Sequence, residues 1–101
     1  MQTDKLIGAL GLAHKAGALI KGNEAVHDAI RQKKAALVLL SADASEGSKK
    51  KLITACAYYQ VPVREMPLNQ DTLARALGAS SPCAAAAVKK HEILKLILNN
   101  L

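Results

Sequence analysis

Ala35-Ala36-Leu37-Val38-Leu39-Leu40 is an unbroken apolar run. A strand with one wet face alternates polar and apolar side chains, whereas one that is apolar throughout is covered on both faces. The run is therefore read as a strand, with helices expected on both sides of its sheet.

Upstream of it, Val26, Ala29 and Ile30 recur at helical spacing. The helix they define is expected to end between Gln32 and Lys34. It opens at Lys21-Gly22-Asn23-Glu24, after the short apolar strand Ala18-Leu19-Ile20. Gly22 supplies dihedrals that a Cβ would forbid, and Asn23 is expected to cap the helix. The first N–H groups of a helix lack intrahelical acceptors and sit at the positive end of its dipole. A phosphate or a base-edge acceptor is a natural ligand there. The same residues also describe an ordinary capped helix start. Earlier still, Thr3 is expected to cap a first helix running to about Ala16, with Leu6, Ile7, Leu10 and Ala13 as its apolar stripe. Gly8 and Gly11 lie beside that stripe, and each costs about 1 kcal/mol of helix propensity against Ala. They imply close packing. Gly17 fits the position just past the helix end, and Lys15 suits the negative end of the dipole.

Downstream, Ser41 to Ser48 form a polar loop with several possible caps. Lys49-Lys50-Lys51 then opens a third helix carrying Leu52, Ile53, Cys56 and Tyr59. Three cations at a helix start oppose the dipole, so the run is either a solvated face or a phosphate contact. Val61 to Met66 reads as a strand, with Pro62 placing it at a sheet edge or at a strand start. Asn69 or Gln70 opens a fourth helix with Leu73, Ala74 and Leu77 inward and Gly78 just past its end. Ala84 to Val88 reads as a narrow central strand. Ile93, Leu94, Ile97, Leu98 and Leu101 form a last helix. Strict alternation of helix and strand predicts a three-layer α/β/α sandwich with a small four-stranded mixed sheet.

The 101 residues suggest a single domain, 50% apolar and able to bury roughly 65% of its unfolded surface. The core must be aliphatic, because Tyr58 and Tyr59 are the only aromatic residues. Fourteen basic against eight acidic residues give a net charge of +6. That favours a polyanionic partner, nucleic acid first. Cys56 and Cys83 are isolated, with no metal-ligand spacing, and read as buried reduced thiols of a cytoplasmic protein. No signal peptide and no membrane span are expected.

Phosphate-loop and dinucleotide motifs are absent. His14, His27 and His91 fall on separate helix patterns, and the carboxylates form no evident pair. No catalytic residue, cofactor, metal or small-molecule substrate is expected, so the sequence does not read as an enzyme.

Lys21-Gly22-Asn23-Glu24, Ala36-Leu37-Val38-Leu39-Leu40, and Leu77-Gly78 followed by Ser81-Pro82-Cys83-Ala84 together resemble the kink-turn-binding ribosomal-protein family. Leu12 to Gly17, Leu39 to Ser45 and Tyr58 to Val63 look like its small bacterial YlxQ-like members. The resemblance covers essentially the whole chain. It implies an α/β/α fold in which the N-terminal turn of the second helix enters the widened groove of a kinked RNA. The family pattern is glycine, any residue, asparagine, glutamate, then a lysine three residues on. Gly22 matches the glycine. Glu24, Ala25 and Asp28 stand where the amide, the carboxylate and the cation are usual. Asn23-Glu24 reproduces the Asn-Glu pair one residue early, a turn of about 100° on a helix. The family's second contact, the loop before the last strand, corresponds to Ala79, Ser80, Ser81 and Pro82, with small or polar residues where aliphatic ones are usual.

From the residues and the resemblance, Lys15, Lys21, Lys33 and Lys34 are expected on phosphates. Asn23, Glu24 and His27 are expected at bases or sugars, around the Gly22 turn. The expected partner is RNA, ribosomal or otherwise structured, with the ribosome as one assembly that would carry it. The rival readings are a protein-interaction module on the same fold, and the recognition domain of an RNA-modifying enzyme.

Overall fold

A computed structural model describes residues 2–79, 83–90 and 92–100. Its elements alternate as α1 (Gln2–Lys15), β1 (Leu19–Lys21), α2 (Asn23–Arg31), β2 (Ala35–Leu40), α3 (Glu46–Tyr59), β3 (Val63–Glu65), α4 (Gln70–Ala76), β4 (Ala85–Lys89) and α5 (Ile93–Asn99). The strands form one sheet in the order β1-β4-β2-β3. β4 lies antiparallel between β1 and β2, and β3 pairs parallel to β2 at the edge. The sheet is therefore mixed, and β1 and β2 point the same way. Pro62 stands immediately before β3, where its missing N–H interrupts no ladder.

The apolar run divides its side chains between two cores. Leu37 and Leu39 pack with α1, α4 and α5, against Leu6, Leu10, Leu73 and Ile97. Val38 and Leu40 pack with α2 and α3, against Val26, Ile30, Leu52 and Cys56. β4 does the same with Ala86 and Val88 on one side, Ala85 and Ala87 on the other. Both strands are covered on both faces, which makes the molecule a three-layer α/β/α sandwich.

Several local expectations are revised. Thr3 lies inside α1 rather than at its cap. Gly8 is exposed and a Cβ there would touch nothing, so packing does not select it. Gly11 does face a neighbour, the Ala76 carbonyl, at 3.8 Å from such a Cβ. α3 begins at Glu46, capped by Ser45, whose Oγ accepts from the Ser48 N–H at 3.2 Å. The lysine run thus starts one turn in, and the first turn carries an acid instead. Ile53 and Leu98 point outward at 45% and 44% exposure, while Ala55 and Ile97 take the buried positions. His91 and Leu101 lie outside the described residues.

The first four helices end alike. In each, the N–H of the residue after a left-handed one bonds the carbonyl five residues back: Ala18 to Ala13, Lys34 to Ala29, Val61 to Cys56 and Ala79 to Ala74, at 2.8–2.9 Å. Glycine fills the left-handed position at Gly17 and Gly78, but Lys33 (φ 59°) and Gln60 (φ 58°) fill it in the other two. Asp43 reaches from the loop after β2 to the start of α4. Its Oδ1 accepts from the Gln70 N–H at 2.9 Å, and its carbonyl accepts from Gln70 Nε2 at 3.1 Å.

Cys56 and Cys83 are both buried, in cores on opposite sides of the sheet. Burial pushes the Cys56 thiol up. Among the described residues, no helix is long and apolar enough to cross a membrane.

Two stability predictions follow from these placements. Lys33→Gly should raise stability by about 1 kcal/mol, because the left-handed conformation costs an L-residue about that much, while Lys33→Ala should give no gain. Urea unfolding midpoints at unchanged slope would show it. For Cys56, the folded thiol keeps its proton at a pH where the unfolded one has lost it. Its contribution to stability therefore falls as pH rises past about 8.5. A thiol reagent at pH 8 should leave the Cys56 peptide unlabelled until denaturant is added, as read by mass spectrometry.

Candidate nucleic-acid interface

The start of α2 is set by backbone, not by a side-chain cap. Gly22 is the N-cap residue, at φ 96° and ψ 142°, a region that side chains with a Cβ avoid. Among the described residues a Cβ there would meet no neighbour, so the constraint is conformational. The Gly22 carbonyl accepts the first helical bond, from the Val26 N–H at 2.9 Å, and its own N–H bonds the Ala85 carbonyl of β4 at 3.4 Å. Asn23 is the first helical residue and does not cap; its Nδ2 donates to Ser48 Oγ at 3.3 Å, linking the starts of α2 and α3. Among the described residues, no side chain caps α2.

The Gly22 turn borders a hollow of about 480 Å³ shared by Asn23, Glu24, Ala25, Gln70, Cys83 and Ala84. The residues whose first-turn N–H groups lack a side-chain cap are the ones on its wall. The opposite wall is the segment entering β4, which the Ser41 N–H ties down through the Ala84 carbonyl at 2.9 Å. Gln70, fixed by Asp43, closes one side. Neither residue was expected beside the turn, because nothing in the sequence marks a contact across 27 residues.

Lys21 donates from Nζ to the Leu77 carbonyl at 3.3 Å. It stands between the Gly22 turn and the loop that follows α4, where a cation also suits the helix end. Ala79 begins that loop and packs against the core. Ser80, Ser81 and Pro82 lie outside the described residues. His27 lies one turn further along α2, in the groove facing α3 rather than in the hollow. Asp28 is paired with Arg31 at 2.6 Å.

The remaining lysines are elsewhere. Ala35 pairs with Lys89, and the Lys89 N–H bonds the Ala18 carbonyl at 2.8 Å. Lys15, Lys33 and Lys34 therefore gather with Lys89 at the end of the sheet where β1 and β2 begin. The hollow is at the opposite end, where they finish. The sequence-predicted set divides into two: Lys21, Gly22, Asn23 and Glu24 around the hollow, and Lys15, Lys33 and Lys34 about one helix length away.

Residues 4–97 match the Ribosomal protein L7Ae/L30e/S12e/Gadd45 family. The chain belongs to this family. The RNA-binding protein YlxQ of Bacillus subtilis (strain 168) is 35% identical over 88 residues, 87% of each chain. YlxQ of Enterococcus faecium is 44% identical over 62 residues, 61% of this chain and 60% of that one. A Bacillus halodurans protein of unknown function superposes with a TM-score of 0.83 at 34% identity, over 94% of both chains. The Giardia lamblia 15.5kD RNA binding protein shares the fold at 22% identity, with a TM-score of 0.80 over 98% of this chain and 83% of that one. Of the turn residues expected from the resemblance, Gly22 is the N-cap residue of α2 and the Asn23 amide is engaged with Ser48.

Replacing Gly22 with Ala should cost about 1–3 kcal/mol by forcing an L-residue into the glycine region. Gly8→Ala, in an open helical position, should instead stabilise by up to ~1 kcal/mol. Paired denaturant titrations of the two variants would establish the contrast.

Proposed function

We propose that this chain is a non-catalytic RNA-binding protein that recognises structured, kink-turn-like RNA. The contact surface is the N-terminal turn of α2 together with the loop before β4. One observation carries the reading: in an L7Ae-family chain, the Gly22 turn and the Cys83-Ala84 segment face each other across one hollow. Membership and the two relatives named RNA-binding support it. In this reading the uncapped N–H groups and Glu24 meet base edges, Glu24 accepting from an amino group. Lys21 neutralises the adjacent phosphate. Lys15, Lys33 and Lys34 add salt-dependent contacts to an RNA long enough to reach the other end. Ribosomal RNA is one such partner, and the cytoplasm is the compartment this reading implies.

The division of the lysines favours a second reading, a protein-interaction module that kept the fold without the RNA. Titration against a kink-turn RNA and a straight duplex of equal length, at two salt concentrations, separates the two. RNA recognition at the turn predicts a preference for the kinked RNA that persists at the higher salt. Lys21→Met should weaken it about tenfold, or ~1.4 kcal/mol. Equal, salt-labile binding to both RNAs would reduce the chain to a general phosphate binder. Absence of binding at either salt would favour the protein-interaction reading.

A further inference from the structure

α2 and α3 run side by side in the same direction, and a groove lies open between them. Its upper part is lined by Asn23, Glu24, Asp28, Gly47, Ser48 and Lys51. Its lower part, about 560 Å³, is lined by Arg31, Lys50, Lys51, Tyr58 and Tyr59. His27 belongs to both, so the groove is continuous from the Gly22 turn. From Asn23 to Arg31 it covers about 12 Å of helix, room for a few nucleotides.

We propose that this groove holds a single-stranded extension of the RNA bound at the α2 turn, with a base stacked on Tyr58 and phosphates on Lys50 and Lys51. The proposal rests on the RNA-binding reading above. Tyr58 is 79% exposed, although it is one of only two aromatic residues in the chain. The core does not use it. Tyr59 meets it edge-on, with centroids 4.8 Å apart and planes at 75°. That contact steadies the Tyr58 ring beside the open groove, as a stacking platform requires. The cations are available too. Lys49 is paired with Glu65 at 3.2 Å, but among the described residues no carboxylate pairs with Lys50 or Lys51. Among the described residues, no carboxylate lines the lower part of the groove. Arg31 is already neutralised by Asp28, which leaves the two lysines for phosphate. An acidic peptide would satisfy the lysines equally well. The flat aromatic face and the continuity with the RNA turn favour a nucleic acid.

The test uses a kink-turn RNA with blunt ends and the same RNA carrying a short single-stranded extension on either strand. The full chain should bind one extended RNA about tenfold more tightly than the blunt one, the worth of one stacked base. Tyr58→Ala should abolish that gain and leave blunt-RNA affinity unchanged. The double variant Lys50→Gln with Lys51→Gln should lower the salt dependence of the gain. Because the chain has no Trp, its tyrosine fluorescence reads the site directly, and should be quenched by the extended RNA and not by the blunt one. Equal affinity for the blunt and both extended RNAs would overturn the proposal and leave the turn reading standing. A gain that survives Tyr58→Ala would also overturn it. Failure to bind any of these RNAs would overturn both.

Discussion

β4 can lie between β1 and β2 only if two layers of helix come down onto it at once. Ala85, Ala86, Ala87 and Val88 have no exposed surface, and their backbone groups pair with strands on both sides. The small side chains let α2 and α3 approach on one face and α1, α4 and α5 on the other. The start of this strand then fixes the end of the molecule that carries the hollow. Its Ala85 carbonyl holds Gly22, and Ala84 holds Ser41. A larger residue in the buried part of β4 would have to push a helical layer away, and the turn of α2 would move with it.

The layers and strands could be read from the sequence because they rest on patterns that burial imposes directly. An apolar run covered on both faces and helical stripes such as Val26, Ala29 and Ile30 leave little freedom. Helix boundaries were legible where glycine marks them, at Gly17 and Gly78. Lys33 and Gln60 gave no such sign, because the final hydrogen bonds hold an ordinary residue in the left-handed conformation there. At the start of α2 the roles of two neighbours were exchanged. The glycine became the cap position, and Asn23 entered the helix to meet Ser48.

The candidate site was less legible, and the reason is geometric. Lys33 and Lys34 follow the same helix that the Gly22 turn begins, which suggests one contact surface. A helix separates its two ends, however, and β1 and β2 run in parallel. All the junctions that start a helix from these strands lie at one end of the sheet, and Lys15, Lys33 and Lys34 lie at the other. The contact of Asp43 with Gln70 is illegible for the opposite reason: the two are distant in sequence and meet only because the loop after β2 folds over the start of α4.

The parallel course of α2 and α3 gives the molecule a polarity. Their positive ends point toward the hollow, where Glu24 and Glu46 stand in the first turns. Their negative ends point toward the lysine-rich end. In α2 the side-chain charges complement the dipole, with Glu24 in the first turn and Arg31 in the last, a pattern that stabilises a helix. It also orients the protein in a long-range field. In the RNA-binding reading proposed above, a polyanion at a distance would be drawn first to the lysine end, and the hollow would act at contact range. Association would then have two stages, a fast salt-sensitive capture followed by a slower reorientation that seats the turn. In that reading the end that governs arrival differs from the end that governs discrimination.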